Sequence, residues 1–173
     1  MNRRAIVLDT SAFIAGFESL AVSEKQYTVP KVGRELIGGS IPWTRFKAAI
    51  ENGKLTIREP KKTFTQEILE ASRKVGDMRY LSEADLQVLA LALELKANGL
   101  SPLIVTDDYS IQNVANKVGV EFTSLLTFGI KFHFKWILYC PACYRKYPPD
   151  YNFKVCEVCG TELKRKPKKK TRI

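Results

Sequence analysis

Over the first 126 residues, short apolar runs that end on a polar residue alternate with longer stretches of helical periodicity. Residues 4–8 (RAIVL) form the first run, closed by Asp9, and Thr10-Ser11 opens a helical stretch to about Phe17. A second strand-like run covers residues 26–30, and residues 33–37 are helical in composition until Gly38-Gly39. Ser40 caps the next helix, with Pro42 in its first turn, Asn52 near its end and Gly53 beyond it. Residues 55–58 read as a strand stopped before Pro60; residues 65–75 place Ile68, Leu69 and Val75 at helical spacing, closed by Gly76. The strongest helix covers residues 83–97. Ser82 and Asp85 form a capping box before LQVLALALEL, which is apolar nearly all round and should be largely buried. LIVT at 103–106 is a buried-type strand ending at Asp107, followed by a helix over 111–118 and a short strand near 120–122. Strands alternating with helices predict an α/β fold, a mostly parallel sheet covered on both faces.

Beyond Leu126 the rhythm changes. Residues 128–139 (FGIKFHFKWILY) alternate apolar positions with Lys131, His133 and Lys135, a strand period, and all four cysteines fall within 140–163. The last ten residues, KRKPKKKTRI, are too polar to pack and are expected to be disordered. The expected division is an α/β domain at 1–127, a connecting segment at 128–137, a cysteine module at 138–163 and a basic tail at 164–173.

Charge sharpens this division. The chain carries +10, yet residues 1–130 hold 16 Lys+Arg against 15 Asp+Glu, whereas residues 131–173 hold 12 against 3. Such asymmetry points to a polyanionic partner, of which nucleic acid is the commonest; the plainer alternative is a solubilising tail. No apolar run approaches 18 residues, so no membrane span is predicted. The basic N-terminus is broken by Asp9 and lacks a cleavage-type site, so it reads as a first strand rather than a signal peptide. A cytoplasmic protein is expected.

In an open parallel sheet, ligands bind beyond the carboxyl ends of the strands. Asp9 and Asp107 both stand there, and Glu35 and Asp85 lie in or near helix first turns that can lean over the same edge. Each has an ordinary explanation: Asp9 as a helix cap, Asp85 as a capping-box partner, Asp107 in an Asx-turn, Glu35 as a solvated side chain. Gathered together they would repel one another and require a cation, and hard oxygen ligands suit Mg²⁺ or Mn²⁺.

LDTSAFI, GREL, SEADLQVLALA and VTDDYSIQNVA, in this order, resemble the PIN-domain nuclease family over about residues 3–126. The resemblance implies a PIN-like sheet flanked by helices, with Asp9, Glu35, Asp85 and Asp107 as catalytic metal ligands. It also implies Ser11, Ser82 and Thr106 as the hydroxyls that orient them, with Asp108 adjoining the last ligand. One or two divalent ions would then activate a water for in-line attack, giving a 5′-phosphate and a 3′-hydroxyl without a catalytic histidine. A haloacid-dehalogenase-like site would need an Asp where Ser11 stands, and no GxxxxGK[ST] loop exists.

Cys140-Pro-Ala-Cys143 and Cys156-Glu-Val-Cys159 are two CxxC knuckles separated by twelve residues, the pattern of one structural tetrahedral zinc site. The alternative, a disulfide pair, is disfavoured in a cytosolic protein. Around them, Tyr144, Arg145, Lys146 and Lys154, with Lys135, Lys164 and Arg165, mix rings and cations in a way that suits unpaired RNA. A PIN-like domain followed by a zinc ribbon resembles the archaeal and eukaryotic endonucleases that mature the 3′ end of small-subunit ribosomal RNA. That resemblance implies precursor small-subunit rRNA as substrate, and the pre-ribosomal small subunit and its assembly factors as partners. The alternatives are a toxin-type PIN ribonuclease and a non-catalytic RNA-binding assembly factor.

Overall fold

The computed structural model describes residues 3–125 and 132–172. Its first part is a five-stranded parallel sheet in the order β3-β2-β1-β4-β5, built from β1 (Arg4–Leu8), β2 (Lys25–Thr28), β3 (Leu55–Ile57), β4 (Ser101–Val105) and β5 (Glu121–Thr123). Helices α1 (Thr10–Ala15), α2 (Pro30–Glu35), α3 (Ile41–Glu51), α4 (Lys62–Val75), α5 (Glu83–Ala97) and α6 (Tyr109–Lys117) connect and cover it. Each crossover returns the chain parallel to the strand it left, so every strand of this sheet has its carboxyl end on one edge.

The apolar pattern explains the core. Val88, Leu89, Ala90, Leu91, Ala92 and Leu95 of α5 are all buried, as a helix apolar all round requires. The one acid in that stretch, Glu94, is also buried. It accepts a 2.8 Å hydrogen bond from the Lys61 amide and pairs with Arg58, which satisfies both its oxygens. Gly33 brings α2 against α3: a Cβ there would fall 2.7 Å from Phe46 Cζ, so a larger residue would force the ring or the helix to shift.

Several boundaries differ from the sequence expectation. Pro30, expected at the end of the second strand, opens α2 instead, since its fixed φ and missing N–H suit a first helical position. α4 begins at Lys62, three residues early. β4 begins at Ser101 and includes Pro102, which pairs only with β1; pairing with β5 starts at Leu103, so the missing N–H interrupts no second ladder.

The second sheet is antiparallel, in the order β7-β6-β8, from β6 (Phe132–Tyr139), β7 (Lys146–Tyr147) and β8 (Lys164–Arg172). The basic segment expected to be a disordered tail is therefore a strand, paired with β6 along its length, and the connecting segment is largely β6. The register shifts where Lys135 pairs with Lys169 and Trp136 with Pro167, a bulge at an edge strand, where a proline is tolerated. Composition failed here because it counts the charged heads and not the stems. Arg165 lies over Trp136 and Tyr80, and Lys166 over Tyr139, so long basic side chains cover aromatic faces. Among the described residues no helix is long and apolar enough to cross a membrane.

Candidate active site and cysteine cluster

β1 and β4 are neighbours with Leu8 opposite Val105, so Asp9 and Thr106-Asp107 leave the sheet side by side. The Asp9 amide donates to the Val105 carbonyl at 3.3 Å, and its side chain caps α1. Oδ2 of Asp9 accepts from Ser11 Oγ at 2.8 Å and from Thr106 Oγ1 at 2.9 Å. Oδ1 is buried and has no hydrogen-bond partner among the described residues. A buried carboxylate oxygen with no donor is costly, and a proton or a bound cation relieves it.

The hydroxyls tie the acids together. Ser11 Oγ accepts from the Asp107 amide at 3.0 Å, and Thr106 Oγ1 accepts from the Asp108 amide at 3.1 Å. Between α2 and the start of α5, Ser82 Oγ donates to Glu35 Oε1 at 3.2 Å and accepts from the Asp85 amide. Asp85 Oδ2 accepts from the Ser82 amide at 2.6 Å. Asp107 Oδ1 accepts from Ser124 and from the Leu125 amide. Asp108, in contrast, uses Oδ1 to cap α6 through the Ser110 amide at 2.6 Å, a structural task of its own. The ordinary roles foreseen for Asp9 and Asp85 are thus real and coexist with a place at the site.

Sequence reasoning missed Thr10, whose hydroxyl donates to Glu35 Oε2 at 2.5 Å and links α1 to α2. It also missed Ser124, and the Lys31–Glu83 ion pair at the rim. The TS pair after Asp9 hinted at the first; nothing local signals the other two.

Burial dominates the electrostatics. It raises the carboxyl of Asp9 above its ordinary value, against the lowering effect of the Ser11 and Thr106 hydrogen bonds. Asp85 is pushed up to about 6, first by burial and then by repulsion from Asp9 and Asp108. These acids therefore feel one another. They are gathered at one edge but not closed around a point. Among the described residues, the only three or more ligand-type side chains whose donor atoms all lie within 4.8 Å of one another are the four cysteines.

That cluster brings Cys140 Sγ to 3.4 Å from Cys159 Sγ, and Cys143 Sγ to 3.5 Å from Cys156 Sγ. These separations are too long for disulfides, and all four thiols are free. The two knuckles repeat each other: the amides of Tyr144 and Gly160 each donate at 2.9 Å to the carbonyl of the cysteine four residues before. Both residues are left-handed, at φ 59° and 70°. The Tyr147 hydroxyl lies 3.0 Å from Cys156 Sγ and lowers that thiol to about 6, favouring the thiolate that a metal takes. Four sulfurs from two such knuckles fit a closed tetrahedral zinc site.

Of the residues expected to touch RNA, Tyr144, Lys146, Lys154 and Lys164 are exposed, and Arg145 is exposed but paired with Glu157 at 3.2 Å. Lys135 lies in β6, with its side chain outside the described part. Arg165 is half-buried and forms an ion pair with Asp77 at 2.8 Å.

Residues 6–95 match the PIN domain of ribonuclease. The chain is 38% identical over 160 residues to Endoribonuclease Nob1 of Methanocaldococcus jannaschii, covering 92% of this chain and 76% of that protein. It is 37% identical over 160 residues to Endoribonuclease Nob1 of Methanothermobacter thermautotrophicus, covering 92% and 91%. A protein of Thermoplasma acidophilum named Ribonuclease VapC1 is 33% identical over 159 residues, covering 92% and 76%. With a parallel sheet that gathers the acids at one edge and a C-terminal cluster of four cysteines, the chain belongs to the Nob1 family of PIN-domain endoribonucleases.

Proposed function

We propose that this endoribonuclease cleaves precursor small-subunit rRNA at its 3′ end within a pre-ribosomal particle in the cytoplasm. Asp9, Glu35, Asp85 and Asp107 would hold Mg²⁺ or Mn²⁺, and Cys140, Cys143, Cys156 and Cys159 one structural Zn²⁺. The observation that carries the catalytic reading is Asp9: one oxygen is fixed by two hydroxyls while the other is buried and unpartnered at the edge where the other acids gather. Likeness to Nob1 proteins over nearly the whole chain supports the rRNA substrate.

A bound divalent ion makes water acidic enough to serve as a nucleophile near neutral pH and offsets charge on the phosphate. The chain supplies the positioning. Ser11 ties Asp9 to the Asp107 backbone, Thr106 ties Asp9 to Asp108, and Ser82 ties Glu35 to Asp85, so the acids are held by groups on separate elements. Lys146, Lys154 and Lys164, with the exposed Tyr144 ring, offer phosphate and base contacts on the C-terminal part.

Cleavage mapping on an RNA spanning the 3′ end of precursor small-subunit rRNA, with added Mn²⁺, tests this. One cut is expected, leaving a 5′-phosphate on the downstream fragment and a 3′-hydroxyl on the upstream one. A 2′,3′-cyclic phosphate would mean attack by the ribose and would refute the water mechanism. The likeness to a protein named VapC1 favours a second reading, a toxin-type ribonuclease. Faster cutting of transfer or messenger RNA than of the precursor, in the same assay, would select it.

A further inference from the structure

One buried carboxylate outside the active edge joins three elements. Asp77, 1% exposed, follows α4; its Oδ1 accepts from Arg165 of β8 at 2.8 Å, and its Oδ2 accepts from Asn113 of α6. The Arg165 guanidinium lies 3.6 Å from the centre of the Tyr80 ring and 4.4 Å from that of Trp136, one from each side of the junction. Next to it, Gly76 adopts φ +86°, and a Cβ there would fall 2.8 Å from Trp136 Cβ and 3.1 Å from its carbonyl oxygen. Arg79 donates to the Phe153 carbonyl at 3.1 Å. The turn at residues 76–80 is thus gripped by the sheet that adjoins the cysteines.

Geometry makes this a fixed joint. A planar guanidinium held by a buried acid and two rings has one orientation, which a lysine cannot reproduce. Asn113 continues the connection into α6, whose cap Asp108 directly follows Asp107. One run of contacts therefore links the basic strand to the segment carrying a candidate metal ligand.

We propose that Arg165 and Asp77 are positioning residues that hold the cysteine-bearing sheet at one distance from the catalytic edge. The bond that is cut is then set by where the basic surface grips the RNA. The joint stands on the contacts alone; its role in choosing the bond rests on the rRNA reading above.

The test uses the full-length, zinc-loaded protein and two variants, Asp77→Asn and Tyr80→Ala. The amide of Asp77→Asn has one acceptor where the carboxylate had two, so Arg165 or Asn113 loses its partner; Tyr80→Ala removes one wall and leaves the acid. Backbone ¹⁵N relaxation should give one rotational correlation time for both sheets in the wild type and two in each variant. On a short unstructured oligonucleotide the variants should cut within about twofold of wild type. On the rRNA precursor the single cut should spread over neighbouring bonds. Two correlation times in the wild type, or one in both variants, would overturn the joint. A spread that fails to appear in variants whose sheets tumble separately would overturn its role in choosing the bond. A wild type that cuts the precursor at no unique bond, with the relaxation results as expected, would instead refute the substrate assignment and leave the joint standing.

Discussion

Asp9→Asn is expected to lower the cleavage rate by roughly a thousandfold or more, about 4 kcal/mol of transition-state stabilisation. The substitution keeps the shape of the side chain, and asparagine caps a helix as well as aspartate does, so α1 keeps its start. What disappears is the charge on a group whose second oxygen is buried and unpartnered. Binding should change little, because the excess positive charge lies beyond residue 130, so RNA affinity measured by titration should stay within about twofold. Stability gives a control. Burial raises the Asp9 carboxyl, so its ionised form is disfavoured by folding and costs stability at neutral pH. The metal-free variant should therefore melt no lower than wild type. A stable variant that cuts at the wild-type rate would remove Asp9 from catalysis.

Loss of the cysteine-held metal should have the other large effect. The buried apolar cluster around the cysteines consists of Leu138, Cys140, Tyr147 and Cys156, with Tyr151 and Leu163 against it, too little to fold this module unaided. A structural zinc contributes roughly 10–16 kcal/mol in small zinc modules, which exceeds anything that cluster can supply. Cys156→Ser is expected to release one zinc per chain, to unfold residues around the knuckles, and to leave the parallel sheet intact. RNA affinity should fall, and the slope of log affinity against log salt should shrink, because phosphate contacts are lost with the basic residues of that module. Affinity and slope unchanged in the zinc-free variant would move RNA recognition onto the first sheet.

Much of this was legible locally. The capping box at Ser82 and Asp85 and the continuous apolar run behind it specify α5 to the residue. Asp9 and Asp107 could be placed at one edge because each ends an apolar run and parallel strands share a carboxyl end. The cysteine spacing named its own cluster. What stayed hidden depends on partners far along the chain. Thr10 matters because α2 brings Glu35 beside it, and Ser124 because β5 returns next to β4. The basic C-terminal strand misled composition for the same reason: Arg165 is at home only where Asp77, Tyr80 and Trp136 have already been assembled. Asp77 itself, next to Gly76 at a helix end, reads in sequence as an ordinary turn residue.

Anomalous scattering at the manganese edge, from crystals of the zinc-loaded protein soaked in Mn²⁺, reads most directly whether these acids share an ion. The prediction is a peak within coordination distance of Asp9 Oδ1, with a carboxylate oxygen of Asp85 or Asp107 drawn in to the same ion. A protein that cuts RNA in that Mn²⁺ solution yet shows no peak within reach of Asp9 would contradict it.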